Sequence, residues 1–534
     1  MAHAGPTGGS SRDVAQLHQM GYAQELRRGM RTFSNFAVSF TIISILSGCL
    51  TLFGFGMNTG GPAVMTIGWL VVGFFVLLVA LGMAEVASSY PTAGGLYYWA
   101  AKLGGKNGAA WSWFTGWFNL IGQVAVTAGI DFGLAFFINA FLNIAWGVST
   151  AAPVTIAIFG TVLVIHALLN TFGIRVVAFL NDVSVYWHLV GVGVIFVALF
   201  FLAPHHAASI GDVFTKFVNN TNSTDATVAP LPAFYVALIG LLNAQYTLTG
   251  YDASAHMAEE THSADTSAPR GIVWSVVVSI IAGFILLVAM NYGINPAAGA
   301  DGLTGYQRAL GSLVPPAQIW IDAVGQTGGL AILFLVIGAQ FYCGMSSVTA
   351  NSRMIYAFSR DGAIPGSRFW HRINPKTRTP TNSIWFAAVG AFLLGVPYLW
   401  STVAYAAVTS IAVIGLYIAY VTPVFLRLRA GSAFQPGPWQ LGRWSRPIGI
   451  VATIWVVFIS ILFLLPQATP LNLSTFNYTP VVVGVVVAFA GGWYLVSARQ
   501  WFRGPKVQGT AEELAAIERD LELLGSGEPE PVTA

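Results

Sequence analysis

Charge is the scarcest property of this sequence. Asp, Glu, Lys and Arg together make up only 8% of its 534 residues, whereas 55% of the residues are hydrophobic. Water-soluble globular chains carry about 25% charged residues, so this composition excludes an ordinary soluble protein. The mean hydropathy is +0.68. Apolar stretches of about 20 residues, the length that crosses a bilayer as a helix, recur along the chain and predict many membrane spans.

Cysteines and catalytic motifs are also scarce. The two cysteines, Cys49 and Cys343, lie in apolar segments, which excludes a disulfide framework, a haem motif and a zinc motif. The sequence has no nucleophile elbow, P-loop or metal-ligand pair, so we expect neither an enzyme nor an ATP-driven pump. We also expect no cofactor, no metal and no nucleic-acid partner. The first 30 residues are polar, so we expect no cleavable signal peptide.

The apolar segments predict an all-α integral membrane protein with twelve transmembrane helices. The predicted spans are 34–57, 62–87, 111–142, 153–172, 176–203, 231–257, 270–294, 327–357, 381–399, 402–425, 447–466 and 479–498. With the N-terminus inside, all but two of the 24 Lys and Arg residues fall on the cytoplasmic side; Lys216 and Arg308 fall outside. This asymmetry supports the span count and places both termini in the cytoplasm.

Two of these spans contain segments at which a helix could break. Residues 45–56 in span 1 and 243–252 in span 6 carry glycines, hydroxyls and other polar groups at mid-membrane depth. The two spans begin two successive five-helix halves, and interrupted helices in matching positions are typical of a transporter binding site. Close packing of small residues is the alternative. Asp252 favours a binding site because an intramembrane carboxylate is costly; its alternative role is to cap the following helix.

Several stretches resemble a known family. They are residues 34–40, 53–56, 85–99, 115–119 and 249–257. In these stretches the chain is similar to the amino acid–polyamine–organocation (APC) permease superfamily, and most similar to the branch with GABA, amino-acid and choline permeases. The resemblance implies a secondary carrier with the LeuT-type fold, in which two inverted five-helix repeats (5+5) are followed by two extra helices.

That fold implies a division of the chain. The expected parts are a cytoplasmic N-terminal segment (1–32), a first repeat (33–203), an extracellular loop (204–230), a second repeat (231–427), helices 11 and 12 (428–498) and a cytoplasmic tail (499–534). In the tail, four apolar residues recur at helical spacing and predict a short amphipathic helix on the surface. They are Leu514, Ile517, Leu521 and Leu524.

The resemblance also implies a substrate site at the two breaks. A substrate carboxylate would meet the backbone N–H groups of Ser47, Gly48 and Cys49, because a helix N-terminus attracts anions. A substrate amine would meet the backbone carbonyls of Ile43, Tyr246 and Thr249, in a site that also includes Gly250. Tyr251 and Asp252 would act as a gate. The chain departs from many relatives at Leu46, where they have glycine.

Further polar residues are candidates for coupling transport to an ion. His188 lies where some proton-coupled relatives have a lysine, and histidine can exchange a proton near neutral pH; a neutral histidine bonded to a neighbour is the alternative. Asp131 could act in coupling or attract an amine, or form an interhelical hydrogen bond. Ser346 and Ser347, with Thr349, could instead bind sodium, or simply pack. We expect H⁺ rather than Na⁺ as the coupling ion.

These features together predict a permease that imports an amino acid or a GABA-like substrate across the cell (cytoplasmic) membrane by alternating access. Its expected partners are that small molecule and the lipid bilayer. One alternative is a choline or polyamine carrier, for which Tyr246, Tyr251 and Trp187 could form an aromatic cage. Another is a non-transporting sensor on the same scaffold. Glu85, Glu259, Glu260 and the basic residues of 353–378 read as topology charges in preference to an inner gate.

Overall fold

The computed structural model describes residues 8–172, 174–207, 209–222, 225–400 and 404–526. Within these ranges the chain is all-helical, as predicted, and its strand-like pairings are limited to four isolated bridges. The expected extracellular loop, the expected N-terminal segment and the expected tail each include positions outside the described residues.

The helices of the first half include those of predicted spans 1 to 5. They are α1 (Gly8–Gln19), α2 (Thr32–Ile43), α3 (Ile45–Thr51), α4 (Phe53–Asn58), α5 (Gly61–Ser89), α6 (Gly95–Leu103), α7 (Gly108–Trp146), α8 (Ala152–Phe172) and α9 (Ile174–Val197). Predicted span 1 coincides with α2, α3 and α4 together. The short helix α6 connects α5 to α7 and is largely buried.

The helices of the second half follow in the same order along the chain. They are α10 (Asp212–Thr215), α11 (Ala233–Ile239), α12 (Leu242–Thr247), α13 (Ala253–His256), α14 (Ala264–Tyr292), α15 (Gly305–Gly311), α16 (Pro315–Arg360), α17 (Ser367–Trp370), α18 (Thr381–Gly395), α19 (Ala404–Ala430), α20 (Ser445–Leu462), α21 (Thr479–Trp493), α22 (Arg499–Trp501) and α23 (Ala511–Ser526). Inside α16, Gly325 takes a non-helical conformation that kinks the chain.

Eleven helical stretches among the described residues are long and apolar enough to cross a membrane. Predicted span 6, at 231–257, is not one of the eleven, because its residues form the three short helices α11, α12 and α13. A count of twelve spans therefore remains a prediction. The segmentation itself is informative, since a broken helix at membrane depth needs partners for its freed backbone groups.

Burial separates central helices from peripheral ones. In the stretch formed by α2 and α3, and in α7, 83% of the most apolar window is buried, whereas in α21 the share is 11%. The long helix α7 packs against α16 and α19, and α5 packs against α14. The exposed apolar side chains of α8, α9, α20 and α21 face outward, as a lipid-facing surface requires. The broken segments therefore lie in the centre of the helix bundle.

Both terminal segments pack together beside the same ends of the bundle. The predicted tail helix is present as α23, and His18 of α1 lies 2.8 Å from the Glu518 carboxylate of α23. Gln508 donates its backbone N–H to the Gly21 carbonyl at 2.8 Å. Leu514 is only 1% exposed. The predicted helix therefore lies at the surface, with Leu514 buried and residues such as Glu512 and Asp520 exposed.

The acidic residues that the sequence suggested were topology charges are in fact paired. Glu260 lies 2.7 Å from Arg353, and Glu259 lies 3.1 Å from Arg360. Arg353 and Glu259 are almost completely buried. Glu85 similarly lies 3.3 Å from Arg427. Buried charges are stable only when partnered, so these ion pairs are compatible with the inner-gate alternative, and the topology interpretation remains a prediction.

Candidate substrate and coupling site

The break in predicted span 1 lies at Ser44, between α2 and α3. Ser44 has a left-handed backbone (φ 36°), which is unfavourable for a residue with a Cβ atom. Its carbonyl accepts the N–H groups of Ser47 and Gly48 at 2.8 and 3.0 Å. In a continuous helix the Ser47 N–H would bond to the Ile43 carbonyl, so the break frees that carbonyl. The break thus precedes the segment 45–56 from which it was predicted.

Side chains from α16 hold the ends of this break. The Cys343 thiol donates to the Ile42 carbonyl at 3.2 Å, and the Gln340 amide donates to the Leu46 carbonyl at 3.4 Å. These contacts provide partners for some of the backbone groups near the break. The N-terminus of α3, with Ser47 and Gly48 in its first turn, is the positive end of a helix dipole inside the bundle.

The break in predicted span 6 covers residues 248–252, between α12 and α13. Gly250 has φ 94°, and a Cβ atom on it would lie 2.3 Å from the Ile42 side chain. Both facts require glycine at this position. The Thr249 hydroxyl donates to the Tyr246 carbonyl at 2.6 Å, and Tyr417 donates to the Leu248 carbonyl at 2.5 Å. One carbonyl predicted to bind the amine is thus occupied locally in this conformation.

The two breaks touch each other. A Cβ atom on Gly48 would lie 2.7 Å from the Thr247 Cα atom, so α3 and α12 approach at backbone distance. The Asn243 amide also donates to the Cys49 carbonyl at 3.3 Å. The structure therefore brings together the predicted residues of both breaks. Whether they bind substrate remains a prediction.

Asp252 lies at the lower end of the span 6 break and is completely buried. Gln123 of α7 and Tyr420 of α19 each donate to its carboxylate at 2.7 Å. Its side chain makes no capping bond to α13, so the capping alternative is wrong. The neighbouring Tyr251 ring packs 4.9 Å from the Tyr420 ring. The carboxylate therefore links three helices.

His256, one turn after Asp252, completes this group. Its Nε2 atom lies 3.2 Å from the Asp252 carboxylate, and its Nδ1 atom lies 3.0 Å from the Ala93 carbonyl. A carbonyl only accepts, so Nδ1 carries a proton. Gln123, Tyr420 and His256 were not predicted as functional residues. Their position in apolar spans is a signal, but the sequence does not reveal which helix faces meet.

His188 lies where the sequence predicted, against the span 1 break. Its Nε2 atom is 2.7 Å from the Ser44 hydroxyl, and its Nδ1 atom is 2.7 Å from the Ser184 carbonyl. The imidazole is fully buried. Nδ1 therefore donates to Ser184, and Nε2 of a neutral ring accepts from Ser44. These contacts fix the ring at the break; its role in coupling remains a prediction.

The candidate sodium-binding hydroxyls of α16 bind other side chains. Ser346 donates to Asn181, Ser347 and Thr127 share a hydrogen bond of 2.8 Å, and Thr349 donates to Asn170 at 2.5 Å. In this conformation these hydroxyls therefore join α16 to α7, α8 and α9.

Asp131 of α7 faces His166 of α8 at the centre of the bundle. The His166 Nδ1 atom lies 3.2 Å from one carboxylate oxygen of Asp131 and 3.3 Å from the other. Both side chains are fully buried. His166 was not predicted, because a lone histidine in an apolar helix carries little information about its partner.

Other buried polar atoms near the breaks have no hydrogen-bond partner in the described part of the chain. They are both amide atoms of Gln245, the Tyr246 hydroxyl, the Asn243 amide oxygen and the Gln340 amide oxygen. Most buried polar groups have partners, so such a concentration indicates groups available to a ligand. Gln245 stands out because it lies next to the span 6 break with neither amide atom satisfied.

The three rings considered for an aromatic cage do not meet. Trp187 donates its indole N–H to the Leu335 carbonyl and packs against Tyr342 at 6.0 Å. Tyr251 packs instead against the tyrosines of α19. Within the described residues Trp187 therefore belongs to a separate contact, and a cage of these three rings is not formed.

Comparisons with known proteins identify similar sequences along nearly the whole length. A family model described as amino acid permease matches residues 31–487. The amino-acid permease BAT1 of Arabidopsis thaliana is 43% identical, with 92% of this chain and 95% of the relative covered. The GABA-specific permease of Saccharomyces cerevisiae is 32% identical, with 93% and 86% covered. A putative polyamine transporter of Candida albicans is 28% identical, with 95% and 91% covered.

Proposed function

The chain belongs to the amino acid permease family, and from this we propose that it is a secondary active carrier that imports an amino acid or a GABA-like substrate. It is a multi-pass membrane transport protein and not an enzyme. The observation that carries the proposal is the 43% identity to an amino-acid permease over 92% of this chain. The contact between two broken helices at the centre of the bundle supports it independently.

We propose twelve transmembrane helices, with the pieces α11, α12 and α13 together forming the sixth. The first ten would form two inverted repeats of five. The matching positions of the two breaks support this arrangement, since each lies in the first helix of its half. The contacts between α1 and α23 support placing both termini on one side, and the distribution of Lys and Arg favours the cytoplasm.

In the proposed site, the substrate lies between the two breaks. Its carboxylate would face the N-terminal end of α3, and its ammonium would face the Ile43 carbonyl that the break frees. The unsatisfied amide of Gln245 would add polar contacts. Release to the cytoplasm would require the buried pairs Arg353–Glu260 and Arg360–Glu259 to separate, because they close the bundle at the ends of α13 and α16.

We propose proton coupling in preference to sodium coupling. The hydroxyls that could bind sodium are hydrogen-bonded to other side chains in this conformation. Buried titratable side chains, in contrast, lie close to the break at Ser44. The second candidate function is a polyamine carrier, which the similarity to a putative polyamine transporter favours. The separation of the three rings speaks against a choline cage.

Transport by the purified protein in proteoliposomes tests the function. We expect saturable counterflow with radiolabelled GABA or with an α-amino acid such as alanine or arginine. We expect uphill uptake under an imposed pH gradient without sodium. Uptake of putrescine alone would favour the polyamine carrier. Binding of an amino acid without counterflow in any condition would indicate a sensor and overturn the proposal. Uptake that requires sodium and ignores pH would overturn only the proposed coupling ion.

The orientation is tested with single cysteines. Ser223 in the expected extracellular loop lies outside the described residues, so the exposed Ala226 in the same loop is the better position. Ala226→Cys should react with an impermeant thiol reagent added to intact cells, whereas Lys376→Cys should react only after permeabilisation. Cys49 and Cys343 are buried and leave a low background. The opposite labelling pattern would contradict the orientation.

A further inference from the structure

A buried carboxylate–imidazole pair lies at the contact of α7, α8 and α16. Asp131 and His166 approach to 3.2 Å, and both side chains are 0% exposed. One carboxylate oxygen of Asp131 and the Nε2 atom of His166 have no hydrogen-bond partner. Resting on the proposed proton-coupled function, we infer that this pair binds the transported proton.

The net charge of the pair explains why it holds a proton when the bundle is closed. With one shared proton the pair has no net charge, either as carboxylate and imidazolium or as carboxylic acid and imidazole. Without that proton a carboxylate with an unsatisfied oxygen is buried in apolar surroundings, which is strongly unfavourable. The closed conformation therefore favours the loaded pair. A conformation that admits water stabilises the ionised carboxylate and allows the proton to leave.

Each transport cycle would move one proton in this scheme. The proton binds from the outer water to Asp131 or His166 before the bundle closes. It leaves to the cytoplasmic water after the bundle opens inward. No covalent bond other than the O–H or N–H bond forms or breaks, and no further reactant is needed.

The pair is mechanically connected to the break in span 1. A Cβ atom on Gly344 of α16 would lie 1.8 Å from an Asp131 carboxylate oxygen and 2.7 Å from the His166 ring. The pair therefore contacts the α16 backbone directly. The preceding residue of α16, Cys343, donates to the Ile42 carbonyl at the break. A change in the charge of the pair would thus act on the segment that carries the break.

The other titratable groups around the pair are neutral at physiological pH. They are Cys343 on α16, Tyr246 on α12 and Tyr405 on α19; Tyr246 packs against Gly129, one half-turn before Asp131, and Tyr405 donates to the Gly129 carbonyl. Among the described residues, the ion pair that Asp131 forms is with His166 alone. The presence or absence of this proton therefore determines the net charge of the pair.

His188 has a different environment. Its two ring nitrogens face a carbonyl and a hydroxyl, and its described hydrogen bonds and ion pairs include no carboxylate. A proton added to His188 would create a buried cation without a counter-ion, whereas a proton added to the Asp131–His166 pair removes a charge. This contrast favours the pair as the carrier of the proton.

The test separates exchange from accumulation in proteoliposomes. The probe is whichever of radiolabelled GABA, alanine or arginine gives saturable wild-type counterflow. Asp131→Asn mimics the protonated acid, so counterflow should stay within threefold of wild type. Accumulation driven by a pH gradient should fall at least tenfold. Gly344→Ala keeps both titratable groups but displaces the carboxylate, and should show the same loss. Asp301→Asn and His205→Gln, at exposed positions, should change neither activity.

Full pH-driven accumulation by Asp131→Asn would overturn the inference. Loss of accumulation in His188→Gln but not in Asp131→Asn would also overturn it. Absence of counterflow in the wild-type protein with every probe would instead refute the proposed function.

Discussion

The two breaks at the centre of the bundle are built differently. The break in span 1 involves one residue, Ser44, whose side chain bonds to the His188 imidazole. The break in span 6 covers 248–252, and the Asp252 carboxylate at its end binds side chains of two other helices. Hydrogen bonds to a carboxylate are about twice as strong as neutral ones. The span 6 break is therefore fixed, while the span 1 break is held by weaker contacts.

This difference suggests that the two breaks have different roles during transport. Asp252 ties the span 6 break to α7 and α19, so these three elements should move as one body. Ser44 connects the span 1 break to α9 through a neutral hydrogen bond, and the Cys343 thiol and the Gln340 amide add bonds from α16. We therefore expect α2 and α3 to change position during transport, while the span 6 break keeps its shape.

The largest expected effect comes from removing the carboxylate. Asp252→Ala leaves the Gln123 amide and the Tyr420 hydroxyl buried without an acceptor. Each such group costs about 1–3 kcal/mol, so we expect a destabilisation of about 4 kcal/mol and loss of transport. The melting temperature in detergent and counterflow measure both effects. Asp520→Ala, at an exposed position of α23, is the control. A melting temperature equal to wild type would show that the span 6 break is not fixed by this charge.

A smaller effect is expected where the breaks touch. In Gly48→Ala the new Cβ atom would lie 2.7 Å from the Thr247 backbone, so α3 and α12 must separate. Such overpacking costs about 1–3 kcal/mol. We expect impaired counterflow with normal membrane insertion. Gly484→Ala is the matched control, because a Cβ atom there meets nothing within 4 Å. Unchanged counterflow in Gly48→Ala would show that transport tolerates separation of the two breaks.

The smallest effect on stability is expected at the span 1 break. Ser44→Ala removes a single neutral hydrogen bond to His188, which contributes about 1 kcal/mol. We expect α2 and α3 to move during transport, and this bond connects them to α9. The variant should therefore alter the rate of exchange more than the melting temperature. His188→Gln, which keeps a polar group there, should retain exchange. A fall in melting temperature as large as that of Asp252→Ala would remove the distinction between the two breaks.

The sequence predicted the helical class, because apolar length is a strong signal, whereas the count of twelve spans remains a prediction. It predicted less about the site. The glycines and polar groups of 45–56 predicted a break within that segment, but Gly48 lies at the close contact with Thr247, and the break lies at Ser44. Glycine has both uses, and the sequence does not distinguish them.

The sequence did not predict which buried polar groups pair with each other. His166 and Asp131 lie 35 positions apart, and of the two only Asp131 was a candidate from the sequence. Asn119, Gln123, Thr127 and Asp131 recur every four positions and mark one polar face of α7, but the sequence does not specify which polar groups of other helices this face meets. The same holds for Gln123, which binds Asp252 across 129 positions.

The contact between the two ends of the chain has a consequence for biosynthesis. His18 and Glu518, which pair at 2.8 Å, are 500 positions apart. A ribosome synthesises the N-terminal segment first and α23 last, so α1 waits for its partner until almost the whole protein has been made. The helices can insert into the membrane one after another, but the contact between α1 and α23 beside the ends of these helices forms only after translation reaches the tail. A nascent chain stalled before residue 506 would therefore be inserted but uncovered, and its exposed segment would be an early target for proteases that remove incomplete proteins.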